Sequence, residues 1–225
     1  MRFSSEIGGP RRQCAVVLTI FLAGCGVGIS QKLDLSAPVR YSLGGKKYEV
    51  PLGYHYVDSV KRNGRWPKPK DDFTEAGAIS ITGWLPGVRP YEESTRAEFE
   101  QLGHGNRISI LITPEVTLYP MHEWLARMNS GDRLRLLPSE LEGLIHYWDN
   151  EMSKDESKGT DIYLKESGYF KLRCPRLEAP SPGCDVTKVS NEGLQIHYSF
   201  GKSHLMSWRE IDKDVDKRIE EFRVK

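Results

Sequence analysis

Six histidines, four cysteines and one tract of closely spaced carboxylates are the side chains of this 225-residue chain whose types could do chemistry. Taken singly, the histidines form no constellation. His122-Glu123 opens like the zinc-protease helix motif H-E-x-x-H, but the place of the second histidine is taken by Ala126. No phosphate loop, G-x-S-x-G nucleophile elbow or EF-hand spacing occurs. A hydrolytic site assembled from distant residues would draw first on His104, His122 and His197. Asp149, Glu151, Asp155 and Glu156 could offer carboxylates to a cationic site in the manner of a phosphate. Lys154 and Lys158 interleave them, which is the pattern of a solvated loop.

The cysteines carry more. Arg2, Arg11 and Arg12 precede a short apolar stretch at 15–23, AVVLTIFLA, which reads as the charged and hydrophobic regions of an export signal. A bilayer-spanning helix needs about 20 apolar residues, so the stretch is too short to be an anchor. Leu22-Ala23-Gly24-Cys25 puts a cysteine where the mature chain would start, and this resembles the bacterial lipobox, whose thiol receives diacylglycerol before cleavage. Arg11-Arg12 would suit twin-arginine export, but Gln13 and Cys14 interrupt the apolar residues expected after such a pair. Residues 1–24 are read as the signal, 25–38 as a lipid-anchored tether and 39–225 as one β-rich body, with room for two lobes. Gly26 is not the aspartate that often retains such proteins in the inner membrane. That points to the periplasmic, inner leaflet of the outer membrane.

Removing residues 1–24 takes away three arginines and one glutamate, so the balance of basic and acidic residues goes from 32 against 31 to 29 against 30. A near-neutral body lacks the basic excess that nucleic acid or anionic lipid selects. Membrane attachment would come from the lipid on Cys25, and no motif asks for a cofactor or a metal. Cys14 leaves with the signal and Cys25 is lipidated, which leaves Cys174 and Cys184 as an even pair in an oxidising compartment. They are expected to form a disulfide. Closing a loop of about ten residues, it would contribute about 2–3 kcal/mol.

Placing these residues requires the elements. Val39 opens a hairpin in which Gly44-Gly45 supplies positive φ between alternating strands that contain Tyr41, Leu43, Tyr48 and Val50. Residues 61–72, KRNGRWPKPKDD, form a basic, proline-bearing loop that belongs on the surface. Strands are expected at 78–84, 108–113, 133–137, 161–165, 169–173 and 194–200, separated by turn residues rather than helices. Short helices are expected at 94–102 and 119–128. At the end, Leu205, Trp208, Ile211, Val215, Ile219 and Phe222 recur every three or four residues among charged neighbours, which defines an amphipathic helix with capping-box spacing at Ser207 and Glu210. The fold class is α+β, a mainly antiparallel sheet with the C-terminal helix packed on it.

Three features together resemble the periplasmic immunity lipoproteins encoded beside type VI secretion effectors, especially those that neutralise phospholipase-type toxins. They are the Cys25 motif, the hairpin VRYSLGGKKYEVPLGYHY at 39–56, and the run from Cys174 through GLQIHYSFGKSHLMSWREIDKDVDKRIEEF to Phe222. They cover under half of the chain and leave 57–160 unmatched. The resemblance implies a non-enzymatic inhibitor whose partner is a cognate secreted effector. Arg65, Trp66 and Lys68 in one loop, and Arg89 and Tyr91 in another, are residue types enriched at interface anchors. Asp149, Glu151, Asp155 and Glu156 are the alternative contact set, as phosphate mimics. A scaffold lipoprotein of an envelope assembly and an envelope hydrolase with an unrecognised site are the competing classes.

Overall fold

The chain begins its described course with a hairpin and ends it with a helix laid across a large sheet. A computed structural model describes residues 33–114, 120–129, 132–151, 155, 157–167 and 169–225. The signal segment and Cys25 lie outside these. Residues Asp34–Lys225 form one compact unit.

β1 (Pro38–Leu43) and β2 (Lys46–Pro51) pair antiparallel with Val39 opposite Val50 and Tyr41 opposite Tyr48. Gly44 and Gly45 turn between them at φ +57 and +77, values that a side chain would strain. The two-residue β3 (Thr74–Glu75) adds to β1 in parallel.

The larger sheet has eight strands, all antiparallel neighbours. In chain order they are β4 (Ile79–Trp84), β5 (Arg107–Thr113), β6 (Leu134–Leu137), β7 (Ile145–Asp149), β8 (Thr160–Leu164), β9 (Phe170–Pro175), β10 (Gly183–Val189) and β11 (Gln195–Gly201). Their spatial order is β4-β5-β11-β10-β9-β8-β7-β6, so β6 to β11 run as a meander and β11 then meets β5. α1 (Arg96–Glu100) sits between β4 and β5, and α2 (Met121–Met128) between β5 and β6. Register places Ile81, Ile110, Tyr198, Val186, Leu172 and Tyr163 in one cross-strand row, and all six are buried. On that inner face lies α3 (Trp208–Phe222), with Trp208, Ile211, Val215, Ile219 and Phe222 buried. The expected α+β class is the observed one.

β7 and β10 were not among the expected strands. Buried inner-face positions carry His146 on β7 and Lys188 on β10, and the buried Asp149 ends β7. Charged residues at buried positions break the apolar alternation that reveals a strand. The tract starting at Asp149 is therefore only partly a loop. The helix expected at 94–102 is shorter, a 3₁₀ turn at Glu93–Thr95 followed by α1, and Tyr119 of the other lies outside the described residues. Ser207 does precede α3, but its hydroxyl makes no capping bond.

Two buried ion clusters fix the layers. Asp212, on the covered side of α3, accepts hydrogen bonds from Lys188 Nζ at 2.5 Å, Lys165 Nζ at 3.2 Å and the Tyr198 hydroxyl at 3.0 Å. Lys188 also reaches Asp216 at 2.7 Å. Burial pushes the Asp212 carboxyl up, and the two lysines and Tyr198 more than reverse it, so the net direction is down. At the other end, Asp161 accepts from Arg176 Nε at 2.9 Å and bonds His146 Nε2 at 2.9 Å. Beside it Cys174 and Cys184, both fully buried, are joined by a disulfide between adjacent strands β9 and β10.

Asp212→Ala leaves the buried Lys188 ammonium with the half-exposed Asp216 as its carboxylate partner and the residue-212 carbonyl, and urea unfolding should register a loss of about 3–5 kcal/mol. Replacing the buried pair, with Lys188→Met and Asp212→Leu together, should recover part of that loss, since the Tyr198 hydroxyl is still left without its acceptor. A second expectation concerns pH. His55 is buried in the turn after β2, its ring beside Tyr41, and burial, opposed by Asp58 and a bond with the Ser80 backbone, takes its pKa down to about 4. The unfolded state, near 6.5, protonates first, so the stability of neutral His55 is present above that pH and lost as pH falls towards 4. The loss amounts to about 3 kcal/mol. Denaturation midpoints measured from pH 7 to 4.5 should fall for the parent and fall less for His55→Asn.

Candidate partner-binding site

The turns after β2 build a second, smaller core. Residues Leu52–His55 form a 3₁₀ turn and Tyr56–Lys61 a π-helical turn, and together they lead the chain out to the basic loop. Gly64 donates its N–H to the Val60 carbonyl at 2.8 Å with φ +69, and Asn63 Nδ2 donates to the Asp58 carbonyl at 2.8 Å. This closed turn sends Trp66 back over the molecule. At the far end of the loop, Arg40 of β1 donates to the carbonyls of Lys70 and Asp71 at 3.3 and 3.2 Å.

Beneath the loop the rings of Tyr56 and Tyr91 stack face to face, with centroids 3.8 Å apart and planes 3° from parallel. Trp66 tilts against both, 5.8 Å from Tyr56 and 5.9 Å from Tyr91. Phe99 of α1 meets both tyrosines edge-on, and Trp84 of β4 packs on Phe99. The hydroxyls point to acid: Tyr56 donates to Glu100 at 2.5 Å and Tyr91 to Glu93 at 2.7 Å. Arg96 bonds both glutamates, at 3.0 and 2.9 Å, and so ties the two tyrosines into one network. Burial first, and then the glutamate bonds, raise both phenols above their ordinary range. The bond from Tyr56, then that from Arg96, holds the Glu100 carboxyl below its own. Lys61 Nζ donates to the Phe99 and Glu100 carbonyls, which joins the basic loop's root to α1.

Of the residues singled out by sequence, the structure brings Trp66 and Tyr91 together. Their roles differ. Trp66 is half-buried on top of the stack, with Arg65 and Lys68 exposed beside it, whereas Tyr91 is buried and supports the loop from below. Arg89 is exposed and lies elsewhere in the chain's path. Its backbone closes the 84–89 turn by reciprocal bonds with Trp84, both 2.8 Å, and the turn is held to α3 through Gly87, which bonds Asp214 and Arg218.

The carboxylate set does not form one surface. Asp149 is buried and held by Arg133 in a two-pronged pair at 2.6 and 2.7 Å. Glu151 is exposed and also bonds Arg133, and Asp155 accepts from the Ser157 N–H and hydroxyl at 3.0 and 2.8 Å. Glu156 lies outside the described residues. The three histidines are apart as well: His104 packs against Gly183, His122 is exposed on α2, and His197 bonds Thr187 on the sheet's outer face. Among the described residues no group of three or more His, Cys, Asp or Glu side chains could hold a metal ion, and no helix is long and apolar enough to cross a membrane.

Sequence reasoning missed the partners that make the platform: Tyr56, Trp84, Phe99 and Arg96. The only signal was compositional, since residues scattered over 56–99 meet where the turns after β2 pack against β4 and α1.

The fold thus defines an α+β body in which an eight-stranded antiparallel sheet carries a C-terminal helix on one face and an aromatic platform at one end. No protein-family model matches the chain, and no curated protein matches its sequence. Among solved structures it is similar to an immunity protein of the Stenotrophomonas maltophilia type IV secretion system, with TM-score 0.57 and 19% identity over 84% of this chain and 94% of that one. It is also similar to the iron-regulated outer membrane lipoprotein FrpD of Neisseria meningitidis, with TM-score 0.59 and 17% identity over 84% and 93%. At these identities the likeness is one of fold.

If the stack is a core and Trp66 its exposed cap, truncations should separate the two. Phe99→Ala should cost about 3–5 kcal/mol in chemical denaturation. Trp66→Ala should cost less than half of that, about 1–2 kcal/mol, because part of its ring stays in water when folded.

Proposed function

We propose that the chain is an immunity protein, which binds and neutralises a cognate secreted toxin at the cell envelope. The observation that supports this most is the fold it shares, across nearly the whole folded body, with an immunity protein of a secretion system. The Cys25 motif agrees with an envelope site, since a lipid there would confine the inhibitor to the surface that a membrane-attacking toxin must reach. In this reading residues 1–24 are a signal peptide, 25–38 a tether and 39–225 the inhibitor body, held in the periplasm at the inner leaflet of the outer membrane. The toxin is a type VI effector with phospholipase activity, and the chain acts by obstruction, without catalysis of its own.

The contact surface is assigned to the loop capped by Trp66, with Arg65 and Lys68. A half-exposed indole resting on a rigid stack offers a large apolar area that loses little conformational freedom on binding. Arg89 is kept as a separate exposed contact. The carboxylates are the weaker choice, because Asp149 is spent on Arg133 and Glu151 shares that partner. A scaffold role in an envelope assembly is the second reading, favoured by the similarity to an outer membrane lipoprotein.

The test is binding between the folded chain and the secreted protein encoded beside it, followed by survival of cells that carry the toxin in the periplasm with and without the chain. A nanomolar complex and protection are expected, with Trp66→Ala weakening the complex at least about tenfold. Absence of any complex would exclude the immunity reading. A complex indifferent to Trp66→Ala would move the interface elsewhere.

A further inference from the structure

Large apolar side chains left in water on a folded body mark surfaces that meet something else when they gather in one place. Among the described residues the three most exposed are Leu102 at 95%, Met206 at 68% and Leu177 at 65%. All three stand on loops at one end of the large sheet. Residues 101–106 lead into β5, 176–182 join β9 to β10, and the 3₁₀ turn Lys202–Ser207 joins β11 to α3.

These loops brace one another. Ser181 Oγ accepts from the N–H groups of His104 and Gly105 at 2.9 and 3.3 Å, Lys202 donates its N–H to the Pro182 carbonyl at 2.8 Å, and His204 Nε2 bonds Asn106 Oδ1 at 2.8 Å. Gly183 lies against the His104 ring and Gly201 against the Gly105 carbonyl, closer than a side chain would allow. Arg107 donates to the carbonyls of Phe99, Gln101 and Gly103 at 3.0, 3.2 and 2.6 Å, which closes the first loop on itself. The cap they form is nearly uncharged. Within 101–106, 177–182 and 202–207 the only Asp, Glu, Lys or Arg residues are Glu178 and Lys202, in a chain of which 28% is charged. Charge returns at the borders: Lys61 bonds the Phe99 and Glu100 carbonyls on one side, and Arg176 bonds Gly159 and Asp161 on the other.

The chain enters the body at this same end. Leu35 packs on the small core of Tyr56, Trp84, Tyr91 and Phe99, and Trp84 is paired with Arg107, the first residue of β5. The β1–β2 turn is at the other end, where Gly44 lies against Pro114, just past β5. Cys25 precedes Asp34 by nine residues, which span at most about 30 Å. A lipid on Cys25 would therefore leave the uncharged cap as the first part of the body to meet the bilayer.

We propose that this cap is a bilayer-docking surface: Leu102 and Leu177 insert at the level where acyl chains begin, Met206 stands at the border, and the charged rim stays among the headgroups. The proposal rests on the reading of Cys25 as the lipid anchor, and it leaves the Trp66 loop to the toxin. Anchoring makes the encounter intramolecular, so a few apolar side chains suffice without a basic patch. Insertion by apolar area also predicts little dependence on salt.

The probe is a vesicle of phosphatidylethanolamine and phosphatidylglycerol with brominated acyl chains, carrying the mature protein as cells produce it. A fluorophore is placed on Ser203→Cys, exposed in the cap, or on Asn191→Cys, exposed in the turn at the opposite end of β10 and β11. Quenching at Ser203 should exceed that at Asn191 at least about threefold and persist from about 0.1 to about 0.5 M salt. Leu102→Ser with Leu177→Ser leaves the bracing bonds in place, so the urea midpoint should hold while quenching at Ser203 falls to the Asn191 level. Equal quenching at the two positions in acylated protein, or quenching at Ser203 untouched by the two substitutions, overturns the docking surface and leaves the anchor reading intact. Protein that mass spectrometry finds without acyl groups on Cys25, yet quenched at Ser203 when mixed with the vesicles, keeps the surface and removes the anchor reading. Shielding of Ser203 by the adjacent-gene toxin or by a second copy in lipid-free solution, with no quenching in vesicles, overturns the bilayer as the occupant.

Discussion

The contact on which the architecture depends is that of Asp212 with Lys188, Lys165 and Tyr198. A stripe of apolar residues on a helix tolerates small rotations and slides, because hydrophobic burial is non-directional. A carboxylate that must meet two ammonium groups and a phenol does not. Asp212 therefore sets the rotation of α3, and its partners come from β10, the end of β8 and β11, so one residue holds three strands against one helix. Once α3 is placed, Asp214 and Arg218 can reach Gly87 and hold the 84–89 turn. A buried ion group of this kind is a poor source of stability compared with apolar packing, and its value is in specifying one arrangement.

The same body supports two kinds of surface. At the β4 end, a rigid aromatic stack lifts a half-exposed Trp66 between Arg65 and Lys68, and its tyrosines are locked by Glu93, Glu100 and Arg96. Where the loops before β5, β10 and α3 meet, the surface is nearly uncharged and carries Leu102, Leu177 and Met206.

Much of the architecture was legible in the sequence. The Gly44-Gly45 turn, the alternating strands around it, and the period of Leu205, Trp208, Ile211, Val215, Ile219 and Phe222 each announce an element, because backbone conformation and burial act directly on residue type. β7 and β10 were hidden for the opposite reason. His146 and Lys188 occupy inner-face positions, and partners further along the chain, Asp161 for the first and Asp212 with Asp216 for the second, make those positions tolerable. Asp149 looked solvated for want of any sign of Arg133 closing on it.

Among the candidate contacts, the sequence marked Trp66 and Tyr91 by type alone and ranked them equally. The fold made one a cap and the other a support, since the stack with Tyr56 buries Tyr91 and leaves Trp66 the outer layer. By itself the sequence determined the elements whose signals are local: the hairpin, the amphipathic helix, most strands and the near-neutral charge of the body. Tertiary structure alone decided which charges are paired, which aromatic rings face water and which strand ends the sheet. Those outcomes depend on residues brought together from distant parts of the chain, and local periodicity carries no information about them.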